Sequence, residues 1–160
     1  MGLAEEATRT GSVPAHGRVR RHVPILSVII LTLNSQEFVR ECIQSLEPLD
    51  PRAEIVVVDG GSRDSTVALI KELLPSCTLR SAPGTTIPEA RNVGLRAASG
   101  DYVHYLDSDD RMRRDAMVEL LRLLEDSSPS FVVTDNARIN RAGQPAGMRR
   151  TRYPDPYGGL

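Results

Sequence analysis

The sequence has few of the features that mark secreted, membrane-spanning or nucleic-acid-binding proteins. Its 160 residues include only two cysteines, Cys42 and Cys77, which lack metal-ligand spacing and are expected to be free thiols of a reducing compartment. No apolar run reaches the roughly 18 residues of a membrane span, and the N-terminus lacks the apolar core of a signal peptide. The formal net charge of −1 gives no support for a nucleic-acid partner. We therefore expect a cytoplasmic protein with no membrane span.

Composition divides the chain into three parts. Residues 1–22 mix Gly, Ser, Pro, Thr and charge without periodicity and are predicted to be a disordered leader. Residues 23–147 carry the hydrophobic pattern of one folded domain. Residues 148–160 are rich in Arg, Pro and Gly and are predicted to be a disordered polar tail. The arginines of the leader leave open a peripheral contact with the inner membrane face, although nearby glutamates favour a solvated segment.

Alternating apolar segments predict an α/β fold with a mainly parallel sheet and flanking helices. Helical spacing of apolar residues follows each of the first four predicted strands. Asn34, with Glu37 three residues later, is predicted to cap the first helix, and Asp64 the second. A hairpin turn is predicted at 140–143. The strands are predicted at residues 25–33, 54–58, 77–81, 102–106 and 131–134.

Polar clusters follow three of these strands, at residues 32–34, 59–64 and 107–110. Because ligands of parallel α/β sheets bind beyond the carboxyl ends of the strands, we expect the clusters to form one site. The last cluster contains three carboxylates, and a divalent cation such as Mg²⁺ or Mn²⁺ is a suitable counter-charge for them. The alternative is a solvated acidic turn that caps the next helix.

Four segments resemble the successive motifs of family 2 glycosyltransferases, which have the GT-A fold. The match is specific because the four occur in order and at family-like spacing, between about residues 24 and 147. The resemblance implies a GT-A, Rossmann-like sheet that is C-terminally incomplete in this chain. The segments are Ser-Val-Ile-Ile-Leu-Thr-Leu-Asn at 27–34, Ile-Val-Val-Val-Asp-Gly-Gly-Ser-Arg-Asp-Ser-Thr at 55–66, Ala-Arg-Asn-Val-Gly at 90–94, and Ala-Ser-Gly-Asp-Tyr-Val-His-Tyr-Leu-Asp-Ser-Asp-Asp at 98–110.

The resemblance also implies a substrate, a cofactor and site residues. The donor would be a nucleoside-diphosphate sugar, with a UDP-sugar as the first expectation. Asp109 and Asp107 match the acidic positions of the family's DXD metal motif, which implies Mn²⁺ or Mg²⁺, with Asp109 as the expected direct ligand. The implied nucleotide-sugar-binding residues are Thr32, Leu33, Asn34, Asp59, Gly60, Arg91, Asp107 and Ser108.

Two departures from the family pattern limit what the resemblance implies. Gly60 stands where the family often has a second acid, which leaves the nucleotide base undetermined. The family's general base normally lies further along the chain with the acceptor-binding half, so that half is expected to be missing. Asp135 is a candidate base only because it follows a predicted strand, and the acceptor, a saccharide or a lipid-linked glycan, is unassigned.

The expected function is metal-assisted, inverting transfer of a sugar from a nucleotide donor. Two alternatives stay open. One is a non-catalytic or truncated nucleotide-sugar-binding module, and the other is an unrelated metal-dependent phosphotransfer enzyme. Arg91 has a plainer interpretation as a helix-surface residue, and His104 is expected to be a packed core histidine.

Overall fold

The computed structural model describes residues 24–140 and 143–149. Four parallel strands form the main sheet in the spatial order β3-β2-β1-β4. This confirms the predicted parallel α/β sheet, whose two central strands are almost wholly buried, as their continuous apolar sequences predict. The strands are β1 (Leu26–Thr32), β2 (Ala53–Asp59), β3 (Thr78–Ser81) and β4 (Tyr102–Asp107).

Helices cover both faces of the main sheet. Three of them pack on one face, where buried residues of β1 and β2 meet Ile43, Ile70 and Leu121. The remaining helix, α3, packs on the other face against Ile29 and Val56. Within the described ranges, no helix is both long enough and apolar enough to cross a bilayer. The helices are α1 (Val39–Ser45), α2 (Thr66–Leu73), α3 (Ile87–Ala97) and α4 (Arg114–Ser127).

A glycine allows α3 to lie close to the sheet. A Cβ atom added at Gly94 would overlap the buried side chain of Ile29 and would also lie 3.3 Å from Val58 Cγ2. The helix begins at a capping box, in which the Glu89 carboxylate accepts a hydrogen bond of 2.8 Å from the Thr86 amide. The position and start of α3 are therefore fixed by packing and by local capping.

Glu54 ties three segments together at the amino edge of the sheet. Its Oε1 accepts hydrogen bonds from Ser27 Oγ at 2.5 Å, from the Ser99 amide at 2.5 Å and from the Gly100 amide at 3.3 Å. Burial disfavours the charged form, but the hydrogen bonds from Ser27, Ser99 and Gly100 outweigh it and lower the pKa of Glu54. The start of β4 is thus held against β1 and β2.

The prediction of a fifth strand at residues 131–134 is wrong. Residues 131–134 form no strand, and the chain instead makes a two-stranded antiparallel hairpin of β5 (Asn136–Ile139) and β6 (Pro145–Arg149). At the turn predicted for 140–143, the Gly143 amide donates to the Asn140 carbonyl at 2.8 Å, while residues 141–142 lie outside the described residues. Because β6 runs to Arg149, the expected domain limit at residue 147 falls inside a strand. The expected leader at 1–22 and most of the tail at 148–160 lie outside the described residues.

The predicted cap of α1 is also wrong. Asn34 has a φ of 51° and lies before an irregular turn, while α1 begins at Val39. The Ser35 carbonyl accepts the amides of Phe38 and Val39 at 3.0 and 2.9 Å, and Asn34 bonds to a distant loop instead. A local sequence pattern was overridden by a long-range contact.

Replacing Glu54 with glutamine should make stability less dependent on pH. The glutamine side chain keeps an oxygen acceptor but loses the charge, so we expect Glu54→Gln to lower the free energy of unfolding by about 1 kcal/mol at pH 7. Because the folded pKa is depressed, the charge stabilises the fold above the unfolded value of about 4.3 and stops doing so as the pH falls through the folded pKa. Urea unfolding at pH 7 and pH 3 measures this, and an equal difference at both pH values would contradict it.

Candidate functional site

Three loops meet at the carboxyl edge of the main sheet. The register aligns Thr32 with Asp59 across β1 and β2, and Leu31 with Asp107 across β1 and β4. The three polar clusters therefore lie side by side, as predicted from parallel strands. We name this edge the rim, and its segments are loop 1 (33–38), loop 2 (60–65) and the acidic loop (108–113).

Asp59 organises loop 2 from a buried position. The residue is only 5% exposed. Oδ2 accepts the amides of Gly61 and Ser62 at 3.0 and 2.9 Å, while Oδ1 accepts the hydroxyls of Ser62 and Thr32 at 2.5 and 3.2 Å. A carboxylate can accept about four hydrogen bonds, so these four fill the acceptor sites of Asp59. Asp59 therefore shapes the loop that a ligand would meet.

Loop 1 is bonded directly to loop 2. The Asn34 amide donates to Ser62 Oγ at 2.9 Å, and Asn34 Oδ1 accepts the Arg63 amide at 2.9 Å. The Gln36 amide donates to Asp64 Oδ2 at 3.2 Å. Asp64 also accepts from Thr66 at the start of α2, and this hydrogen bond holds the pKa of Asp64 below its usual value. The two loops form one hydrogen-bonded unit. The N-cap of α2 is Ser65 and not the predicted Asp64, although Asp64 does accept the first helical amide, that of Thr66.

Gly60 has room for a Cβ atom. A Cβ added there would make ordinary contacts, 3.5 Å from the Thr32 carbonyl oxygen and 3.6 Å from Leu33. Its neighbour Gly61 has a φ of 98°, a conformation that favours glycine. Leu33 is 59% exposed and so presents an apolar surface next to Gly60. Packing therefore does not require glycine at position 60, whereas the backbone conformation favours glycine at position 61.

The acidic loop is joined to loop 1 and to α1. The hydroxyls of Ser108 and Ser35 share a hydrogen bond of 2.9 Å across the rim. The Cys42 thiol, on α1, donates to the Asp107 carbonyl at 3.6 Å. Both contacts lie at the point where β4 ends, so they fix the direction in which the acidic loop leaves the sheet.

Negative charge is concentrated around the acidic loop. Burial, and then the charges of Asp110, Asp109 and Asp107, raises the pKa of Cys42 to about 12. Burial raises the pKa of Asp110, and the neighbouring Asp109 and Asp107 add to the effect. Across residues 24–140 and 143–149, none of the ion pairs involves these three carboxylates. The loop therefore favours a cation, and Cys42 is a neutral thiol.

The donor set fits a metal ion that is shared with a substrate. In the described part of the chain, no three side chains of His, Cys, Asp or Glu are arranged to hold a metal by themselves. Mg²⁺ is commonly bound by one or two carboxylates together with substrate phosphates and water. Asp109 and Asp107 are both exposed at the rim and can supply that number of ligands.

Arg91 lies on the α3 face of β4. Its guanidinium is 5.4 Å from the centre of the Tyr105 ring, a cation–π contact, and the Tyr105 hydroxyl donates to the Arg91 carbonyl at 3.5 Å. Because side chains alternate along a strand, Tyr105 and Asp107 share this face, opposite to buried Leu106. The structure thus brings Arg91 towards the end of β4 that carries Asp107. His104 is partly buried, as expected for a packed residue, and this burial lowers its pKa.

Sequence reasoning missed the small polar residues that connect the loops. Ser62 bonds to Asp59 and Asn34, and Ser35 bonds to Ser108 and to Thr66 through its amide. Serine and threonine at strand ends are ordinary turn residues, so their sequence signal was weak. The roles of these serines become visible only when the strands are aligned.

Comparison with known proteins identifies the class to which this fold and rim belong. A family model described as Glycosyl transferase family 2 matches residues 27–158. The chain therefore belongs to glycosyltransferase family 2, as its motifs predicted.

Curated relatives are longer than this chain. Hyaluronan synthase of Pasteurella multocida is 31% identical over an alignment of 126 residues that covers 76% of this chain and 13% of that protein. The putative teichuronic acid biosynthesis glycosyltransferase TuaG of Bacillus subtilis is 29% identical over an alignment of 129 residues that covers 76% of this chain and 50% of that protein. The chain thus spans half or less of these relatives.

Solved structures share the α/β fold. Residues 1–349 of Staphylococcus aureus TarS, in complex with UDP, give a TM-score of 0.56 at 27% identity, covering 64% of this chain and 32% of that one. The mannosyltransferase PcManGT of Pyrobaculum calidifontis, in complex with GDP-Man and Mn²⁺, gives 0.55 at 26% identity, covering 65% and 33%. These similarities confirm the fold class that the resemblance implied.

Removing the Asp59 carboxylate should loosen loop 2. Asp59→Ala leaves the amides of Gly61 and Ser62 without their acceptor, so we expect the free energy of unfolding to fall by about 1–3 kcal/mol. Hydrogen exchange at those two amides should accelerate relative to the β2 amides. Asp101→Ala, at the exposed amino edge, is the control and should change stability by less than about 0.5 kcal/mol. Unchanged protection of both amides in Asp59→Ala would refute the assigned role.

Proposed function

We propose that this chain binds a nucleoside-diphosphate sugar at the rim and takes part in metal-assisted, inverting transfer of the sugar to an acceptor. One observation carries the proposal: the strand register brings Thr32, Asp59 and Asp107 to one edge of the sheet. This arrangement gives a single ligand access to the polar clusters of loops 1 and 2 and to the acidic loop. Membership in glycosyltransferase family 2 supports the same reaction.

In this proposal the nucleoside lies across loops 1 and 2. Leu33 offers an exposed apolar surface next to Gly60, which suits a planar base. Thr32 ends β1 and Asn34 follows in loop 1, on either side of Leu33. Asp59 acts indirectly, because its hydrogen bonds are already made within the protein.

The diphosphate is proposed to lie at the end of β4. Asp109 would hold a divalent cation directly, and Asp107 would support it, while Ser108 lies between them and bonds to Ser35 across the rim. A bound Mn²⁺ or Mg²⁺ would supply positive charge that stabilises the leaving diphosphate. Arg91, on the same face as Asp107, would add a guanidinium for the phosphate oxygens. The Mn²⁺ complex of PcManGT supports this assignment.

A UDP-sugar is the proposed donor. Solved structures of TarS contain UDP and UDP-GlcNAc, whereas the PcManGT structure contains GDP-Man, so a GDP-sugar is the comparison to test. We propose a cytoplasmic location because both cysteines are free thiols, with contact at the inner membrane face left open. The acceptor is not assigned.

A nucleotide-sugar-binding module without transfer activity is the competing candidate. The reason is that Asp135 was the one candidate for the general base, and it was chosen because a strand was predicted before it. Residues 131–134 form no strand, so that reason no longer holds. Among residues 24–140 and 143–149 we assign no other side chain as the base. The glycosyltransferase and the binding module are both expected to bind the donor, but only the glycosyltransferase is expected to transfer the sugar.

A nucleotide and Mn²⁺ should stabilise the protein together. At a hundred times its dissociation constant, a bound UDP-sugar should raise the free energy of unfolding by about 2.7 kcal/mol. Asp109→Asn should abolish the part of this increase that requires Mn²⁺, because it removes the direct ligand. Calorimetry and thermal unfolding with UDP- and GDP-sugars, with and without Mn²⁺, measure both effects.

The matched control is Asp101→Asn, which removes the same charge at the amino edge of the sheet and should keep the full Mn²⁺ response. Binding without sugar transfer or hydrolysis would favour the module. If no nucleotide binds in the presence of metal, both candidates are wrong. If Asp109→Asn keeps the full Mn²⁺ response, Asp109 is not the metal ligand and serves only to form the turn.

A further inference from the structure

Arg111 follows Asp107, Asp109 and Asp110 in the sequence, but its ion pair in the described part of the chain is with α1. Its Nη2 forms an ion pair with Glu41 Oε2 on α1. On the other side, a Cβ atom added at Gly143 would lie 2.7 Å from Arg111 Nη1. The guanidinium is therefore held between α1 and the turn of the β5–β6 hairpin.

The backbone beside Arg111 is attached to the same helix. The Met112 amide donates to Ser45 Oγ at 3.0 Å, and that hydroxyl donates to the Cys42 carbonyl at 2.6 Å. The backbone next to Arg111 is thus anchored to α1. From there its side chain reaches Glu41, whose own side chain is 55% exposed.

The partner of the Arg111 side chain determines how much negative charge remains at the rim. An arginine next to several carboxylates is a strong candidate partner for them, because guanidinium and carboxylate form paired hydrogen bonds. Such a pair would occupy carboxylate oxygens and cancel charge that a divalent cation needs. In the described ranges, however, the ion pair of Arg111 is with Glu41 and none joins it to Asp107 or Asp109.

We infer that Glu41 is a positioning residue that holds Arg111 against α1 and so leaves Asp107 and Asp109 available to a divalent cation. The inference rests on the proposed donor site and adds a residue that the family motifs do not contain. Glu41 touches neither the donor nor the metal in this scheme. Its effect passes entirely through Arg111, which makes the inference testable by a double mutant.

The test compares Glu41→Gln, Arg111→Gln and the double variant. Mn²⁺ affinity is measured by electron paramagnetic resonance of free Mn²⁺ at saturating UDP, and UDP affinity without metal by calorimetry. Glu41→Gln should weaken Mn²⁺ binding about fivefold, the size of a surface ion-pair effect. Arg111→Gln should not weaken it, and the double variant should match Arg111→Gln, because no guanidinium remains to be held.

A purely structural ion pair gives a different pattern. In that case both single variants lose the same contact and weaken Mn²⁺ binding equally, which would overturn the inference. Glu72→Gln is the matched control, since Glu72 forms another exposed pair, with Arg40 at 3.7 Å, and should leave the Mn²⁺ affinity unchanged.

Failure of the inference and failure of the proposed function are distinguishable. If wild-type protein binds Mn²⁺ with UDP but Glu41→Gln does so equally well, only the inference is wrong. If wild-type protein binds UDP but no Mn²⁺, the proposed metal site and the inference fall together. Lost UDP binding without metal in Glu41→Gln would show general damage and would also overturn the positioning role.

Discussion

Both oxygens of the Asp59 carboxylate accept hydrogen bonds from the protein, and the rim is built outwards from them. Asp59 holds Ser62, and Ser62 holds the amide of Asn34 in loop 1. Loop 1 then meets the acidic loop through Ser35 and Ser108. One buried carboxylate thereby connects the ends of three strands. The proposed function needs this order, because the proposed donor contacts all three loops at once.

The two halves of the rim use different chemistry. Loops 1 and 2 satisfy most of their polar side chains internally and present backbone and the exposed Leu33. The end of β4 and the acidic loop do the opposite, since Asp107, Asp109 and Asp110 are left without a cationic partner among the described residues. The proposed donor, with a planar base at one end and a charged diphosphate at the other, is based on this division.

The sequence predicted the sheet well because its signals are local. The continuous β-branched runs of β1 and β2 and the helical spacing between them required no knowledge of distant contacts. Parallel strands then placed Asp59 and Asp107 at the same edge. The metal-binding and nucleotide-binding roles of these residues remain proposals that came from the family resemblance.

The errors concern features that local patterns do not determine. Asn34 resembled a helix cap, but the Arg63 amide, 29 residues away, takes its side chain. Residues 131–134 are apolar enough for a strand, yet they form none, and the next strand in the described part of the chain is β5, which pairs with β6. The Glu41–Arg111 pair joins residues 70 positions apart, so no spacing in the sequence could indicate it.

A nuclear magnetic resonance titration with UDP and Mg²⁺ tests the central claim most directly. Amide signals of residues 33–36, 60–64 and 107–110 should shift together along one binding curve, because one ligand contacts all three loops. Amides of residues 99–102, at the opposite edge of the sheet where Glu54 accepts the amides of Ser99 and Gly100, should remain unchanged. Shifts confined to the amino edge, or separate binding curves for the three loops, would contradict a single donor site at the rim.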